Sequence, residues 1–162
     1  MGDIRNVKPA YSTKDWELRE AYYIAEVSKL PIPEQPNTKD VLKFNHLLDS
    51  LMDESLMEQA YVERNFNHYN TLMKNAEKEI FSIIKQQELT AGSKATENDI
   101  KGLTVAHLKK NPLEPNKPDI YTIVLSAEKR HLFIERVVKI LQEKKQAMVT
   151  VNTMLKIETN IQ

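Results

Sequence analysis

Between Pro36 and Gly92 the chain runs 55 residues without a glycine or a proline, and apolar side chains recur through it at helical spacing. One seven-residue series reads Val41, Leu48, Ser55, Val62, Tyr69, Ala76 and Ile83. A companion four residues on reads Asn45, Met52, Gln59, Phe66, Met73 and Ile80. Strict apolar/polar alternation persists nowhere, so the pattern predicts a helix with one buried stripe, not a strand. Some 50 residues at ~1.5 Å each would span about 75 Å. Such a helix cannot bury its stripe on itself. It needs partner helices.

The stripe weakens between Met52 and Val62, where Ser55 and Gln59 occupy positions that would otherwise carry large apolar residues. Polar residues at a seam set register or oligomer state, or they mark a bend. One helix is the expectation, with residues 53–60 the place where it would break. A second uninterrupted stretch, from Asp119 to Gln162, carries a more regular series: Ile120, Ala127, Ile134, Leu141, Met148 and Leu155. Val124 and Val138, with Ile123, Val137 and Val151, widen it. Heptad regularity of this length favours coiled-coil-like packing. The residues expected to form the helix-packing or oligomer seam are Val62, Phe66, Tyr69, Met73, Ile80, Ile134, Leu141 and Met148.

Punctuation fixes the remaining elements. Residues 1–11 lack periodicity and read as an arm. Ser12 and Thr13, with Asp15 and Glu17 following, open a first helix that runs to about Leu30. Trp16, Ala21, Tyr22, Tyr23, Ala25 and Val27 are its packing candidates. Pro31, Pro33 and Pro36 then make a stiff extended connector. Thr38 is the expected cap of the long helix, and a loop centred on Gly92 and Ser93 ends it. Thr96 caps a short helix, with Asp99 at the reciprocating position of a capping box. Asn111-Pro112 stops that helix near Lys110, and Asn116 is the expected cap of the last helix, with Pro118 in its first turn. The fold class expected is all-α: long coiled-coil-like helices packed as an elongated hairpin or bundle, with two shorter helices. Residues 1–36 would form an N-terminal arm, short helix and connector, and 37–162 the long-helix domain.

Composition narrows the function classes. The chain has no cysteine and only three glycines among 162 residues, which removes thiolate chemistry and makes glycine-rich phosphate loops hard to build. No apolar run approaches the ~20 residues that span a bilayer, and no signal-peptide core follows Met1. The expected setting is the cytoplasm, or a virion for a structural component. The 23 basic and 23 acidic residues balance overall. Residues 1–93 carry 11 Lys/Arg against 15 Asp/Glu, whereas 94–162 carry 12 against 8. The halves are thus weakly complementary in charge.

Candidate chemistry is sparse. His46 and Asp49 share a helical face but offer only two metal ligands, whereas helical di-metal sites repeat such motifs on two helices. Asp49/Asp53 and Glu54/Glu58 are carboxylate pairs at i,i+4. They read as a solvated acidic face or a dock for a basic partner. No phosphate-cradle or nucleophile-elbow motif occurs, so neither an enzyme activity nor a cofactor is expected. Basic residues gather late in the chain as Lys109-Lys110, Lys117, Lys129-Arg130, Arg136, Lys139 and Lys144-Lys145. Arg136 lies three residues from Lys139 and seven from Lys129, so these share a face. The stripe could neutralise phosphates in a salt-dependent way, or be an ordinary solvated face interleaved with Glu128, Glu135 and Glu143. Tyr11, Trp16, Tyr61, Tyr69 and Tyr121 are the aromatics available for base stacking.

The run Val124-Leu125-Ser126-Ala127-Glu128-Lys129, after a long helix, a small loop and a capped Thr-Glu turn, resembles the recombination mediator family of T4-type bacteriophages (UvsY). The resemblance covers residues 60–155. It implies a small helical homo-oligomer that binds single-stranded DNA and loads a recombinase onto it. The family's Lys-Ala-Arg contact falls on Lys85-Gln86-Gln87 here, so Lys85 stands for the lysine while Gln87 replaces the arginine. The positions implied for nucleic acid are Lys85, Lys129, Arg130, Arg136 and Lys139. The rival reading is a helical structural or adaptor subunit of a larger assembly, a virion for example, with neighbouring proteins as partners.

Overall fold

The computed structural model describes residues 13–30 and 38–161, with the backbone alone for Thr13, Thr38 and 157–161. The expected arm, the Ser12 cap and the proline connector lie outside these residues, as do the cap side chains of Thr13 and Thr38. Four helices, and no strand among the described residues, make up the fold: α1 (Thr13–Ser28), α2 (Thr38–Thr90), α3 (Glu97–Lys110) and α4 (Ile120–Ile161). The chain is all-α, and its long helices pack against each other.

The 53 residues of α2 form one helix, with no break at 53–60. Ser55 does not interrupt it, because its Oγ donates to the Met52 carbonyl at 2.9 Å and the side chain is fully buried. A small residue there lets a neighbouring element approach. α2 ends on Gly92 at φ 69°, the left-handed conformation that glycine tolerates best. Ser93 N–H reaches the Glu88 carbonyl at 3.0 Å and Gly92 N–H that of Leu89 at 3.2 Å, the paired closure of a Schellman motif. At the start of α3, Asp99 N–H donates to Thr96 Oγ1 at 3.2 Å and Thr96 N–H to Asp99 Oδ2 at 2.8 Å, completing the capping box.

The start of α4 differs from expectation. Asn116 sits at φ 62° and does not cap the helix, which begins at Ile120 and leaves Pro118 outside its first turn. Asp119 is the cap: its Oδ1 accepts from Tyr121 N–H at 3.1 Å and Thr122 N–H at 3.2 Å. The turn from Asn111 to Pro118 needs a left-handed residue, and asparagine supplies it more cheaply than most.

The packing divides into two units. The first takes α1, α2 up to Tyr61 and α4 from Leu132; the second is Val62–His131. In the first, α1 runs antiparallel to α2, with Arg19 meeting Glu58 and Tyr22 meeting Glu54. Trp16 packs edge-on against Phe133 of α4, ring centroids 6.0 Å apart. Val41, Phe44, Leu48, Leu51 and Met52 of α2 and Ile134, Val137, Val138, Leu141 and Met148 of α4 are buried around Trp16 and Tyr23 of α1 or beside one another in the same unit. Ala21, Tyr22 and Ala25, candidates for packing, are instead exposed, since the buried side of α1 follows Trp16, Tyr23 and Leu30.

In the second unit, α2 and the first part of α4 are also antiparallel. Phe66 stacks on His131 at 5.8 Å, and Glu77 accepts from Tyr121 Oη at 2.9 Å. α3 turns Ile100, Thr104 and Leu108 inward, at i, i+4 and i+8. Val62 and Ile120 are buried here, while Phe66, Tyr69, Met73 and Ile80 are only half-buried. Ile83, the last member of the α2 series, is exposed.

Candidate partner-binding groove and the basic positions

Half of the expected seam residues are consumed within the single chain. Val62, Ile134, Leu141 and Met148 are each no more than 2 % exposed. Three of the four carboxylates in the acidic pairs also find a counter-charge internally. Arg19 holds Glu54 at 2.8 Å and Glu58 at 2.9 Å, so Glu58 is a buried structural carboxylate and not part of a solvated face or an external dock. Asp49 pairs with Lys145 at 2.8 Å on the surface. Among the described residues no group of three or more His, Cys, Asp or Glu side chains is placed to hold a metal ion. No helix among them is long and apolar enough to cross a membrane.

Of the expected nucleic-acid positions, Lys85 lies on α2 and the other four on α4. Lys85 is exposed beside a small cavity of about 170 Å³, lined also by Phe81, Glu88, Leu89, Ser93 and Glu97. Glu97 lies close enough for Lys85 to help hold its carboxyl below the usual range, after the larger effect of the Lys101 hydrogen bond. Lys129, Arg136 and Lys139 are exposed on α4 and Arg130 is half-buried. Lys129 and Arg130 belong to the second unit, Arg136 and Lys139 to the first. The aromatics that would stack on bases are mostly occupied. Trp16 is buried with Nε1 donating to Glu20 at 2.8 Å. Tyr121 is half-buried against Glu77, and burial with that hydrogen bond pushes its hydroxyl up to about 12. Tyr69 packs edge-on with His68.

In the second unit a groove lies between α2 and α3, a cavity of about 780 Å³. From α2 it is lined by Lys74, Glu77, Lys78, Phe81 and Ser82, the i, i+3, i+4, i+7 and i+8 positions of one face. From α3 come Glu97, Lys101, Thr104 and Val105. Phe81 and Val105, both only half-buried, give an apolar floor. Charges stand along the rim. Lys101 is paired with Glu97 at 2.8 Å, and Glu77 takes the Tyr121 hydroxyl. Sequence reasoning passed over Lys74, Lys78 and Lys101. The available signal was the Lys74/Lys78 pair, one turn apart on the same helix as the seam.

No family model matches this chain, and no curated protein or solved structure matches it either.

Proposed function

We propose that this chain is a non-enzymatic helical adaptor subunit that works by holding a partner protein in the groove between α2 and α3. The observation that carries this reading is the apolar floor of Phe81 and Val105, left half-uncovered between two ordered helices. Two facing helical rows with open space between them are how a helical protein receives another helix. The setting that goes with this role is the cytoplasm or a virion, and no cofactor is required. A photo-crosslinking residue at Val105, compared with one at exposed Lys139, tests it in extracts of the source. A discrete protein adduct from position 105 and none from 139 is expected. Equal, diffuse adducts from both positions would overturn the reading.

A second reading has one observation in its favour. Lys129, Arg136 and Lys139 stand exposed on α4, as a single-strand-binding recombination mediator of phage type would need, acting as a homo-oligomer with Lys85 and Arg130. Light scattering coupled to size exclusion, with a short single strand at low and moderate salt, separates the two. A mediator takes up the strand as a defined oligomer, releases it as salt rises, and loses it when Lys129 and Arg130 become alanine.

A further inference from the structure

The groove also specifies the chemistry of its occupant. Lys74 and Lys78 lie one turn apart on its α2 wall, and like charges at i,i+4 disfavour a helix unless something compensates them. Glu77, between them in sequence, lines the same groove and accepts the Tyr121 hydroxyl, and Glu97 across the groove is paired with Lys101. Among the described residues, neither Lys74 nor Lys78 has an ion-pair or hydrogen-bond partner. The groove lining carries three lysines against two glutamates, an excess of one positive charge above an apolar floor, and Lys74 and Lys78 are the cations without an ion pair.

We infer that the groove binds an acidic amphipathic helix of a partner protein, its apolar face on Phe81 and Val105 and its carboxylates against Lys74 and Lys78. The inference rests on the adaptor reading and deepens it. α3 has 14 residues, about 21 Å at ~1.5 Å each, so an occupant lying along it needs roughly four turns. Apolar anchors at i, i+3 or i+4, and i+7 would meet the floor, while glutamates on the flank facing α2 would reach the lysines. Complementary charge of this kind sets the choice of partner and the direction in which it lies more than it sets raw affinity.

The test uses the full chain and two fluorescein-labelled helical peptides of about fourteen residues. They carry the same leucine row and either glutamates or lysines on the flanks. Lys74 and Lys78 are exposed, so the K74E/K78E variant keeps its fold, which circular dichroism verifies. Fluorescence anisotropy is expected to show the glutamate peptide binding the unaltered chain at least tenfold more tightly than K74E/K78E, with the lysine peptide showing the opposite preference. If both peptides bind the unaltered chain equally and Val105→Ser weakens both, the groove docks helices without selecting charge; that overturns the inference and leaves the adaptor reading standing. If neither peptide binds, both fall.

Discussion

Arg19 Nε donates to Glu58 Oε2 at 2.9 Å, joining residues 39 apart in the chain. The carboxylate side chain is 4 % exposed and the guanidinium side chain 30 %. Glu58 is therefore a buried anion whose ion-pair partner in the described structure comes from α1, and its Oε1 is buried without any hydrogen-bond partner there. The first unit depends on α1 for more than apolar area: without Arg19, α2 would carry an unmatched charge into its own core face.

Arg19→Ala is expected to cost roughly 2–3 kcal/mol. That lies between the ~0–1 kcal/mol of an exposed ion pair and the ~3–5 kcal/mol of removing one partner from a buried one, because Arg19 is partly solvated. Urea unfolding measures it. A double variant, Arg19→Met with Glu58→Leu, should recover much of the loss, since it removes the stranded charge as well. Additive losses would mean that the guanidinium acts by packing on Tyr22 and Tyr23, whose rings lie 5.3 and 5.4 Å from it, and not by neutralising Glu58.

Ser55 carries a prediction of opposite sense to the one a heptad pattern suggests. Filling that seam position with leucine would, on pattern alone, strengthen the stripe. The side chain is fully buried, however, and has only a hydroxyl's volume. Ser55→Leu should therefore overpack the first unit and cost ~1–3 kcal/mol, while Ser55→Ala, which keeps the volume, should change stability little. A leucine variant with a raised Tm would show that the space around Ser55 is slack.

These residues show what the sequence could and could not convey. The α4 series was legible because Ile120, Ala127, Ile134, Leu141 and Met148 all bury, each seven residues from the last. The α2 series was legible through Val62 and then blurred, because Tyr69 and Ala76 are only half-buried and Ile83 is exposed. The Thr96 cap was local and therefore readable, whereas at the start of α4 Asp119 carried the same signal as Asn116 and lay nearer the helix. The burial of Glu58 was not readable. Its cause lies on another helix, and a carboxylate pair at i,i+4 looks the same on a solvated face. The groove was hidden for a related reason: periodicity shows which face is apolar, not whether anything in the chain covers it.

Caps also make the fold sensitive to acid. The Thr122 hydroxyl, at 2.7 Å, and the first N–H groups of α4 hold the Asp119 carboxyl below its usual 3.8. The Thr96 hydroxyl and N–H do the same for Asp99. For a carboxylate lowered on folding, the unfolded chain binds protons more readily. Its stabilisation is thus complete well above the unfolded value and disappears as pH falls through that value towards the folded one. Stability should decline below about pH 4, and the Asp119→Asn, Asp99→Asn double variant should show a flatter acid limb in pH-dependent urea melts. Asp119→Ala should cost about 1 kcal/mol near neutrality, as the loss of a helix cap does. An acid limb unchanged by the double substitution would place its origin elsewhere.

Ile134 and Leu141 decide whether the heptad seam of α4 is satisfied inside the chain. Both are fully buried in the first unit without a second copy. Placing an aspartate at either position buries a charge with no counter-ion provided for it, one of the few changes that cost more than ~4 kcal/mol. Ile134→Asp and Leu141→Asp are therefore expected to unfold the first unit at every protein concentration, seen as a loss of helicity independent of dilution. Val149→Asp, at a half-exposed position of the same helix, should be tolerated. If the residues instead formed a seam between subunits, the two buried-site variants would keep normal helicity and lose only mass on size exclusion. A folded, dispersed Ile134→Asp protein would move the α4 seam from the interior of one chain to the contact between chains.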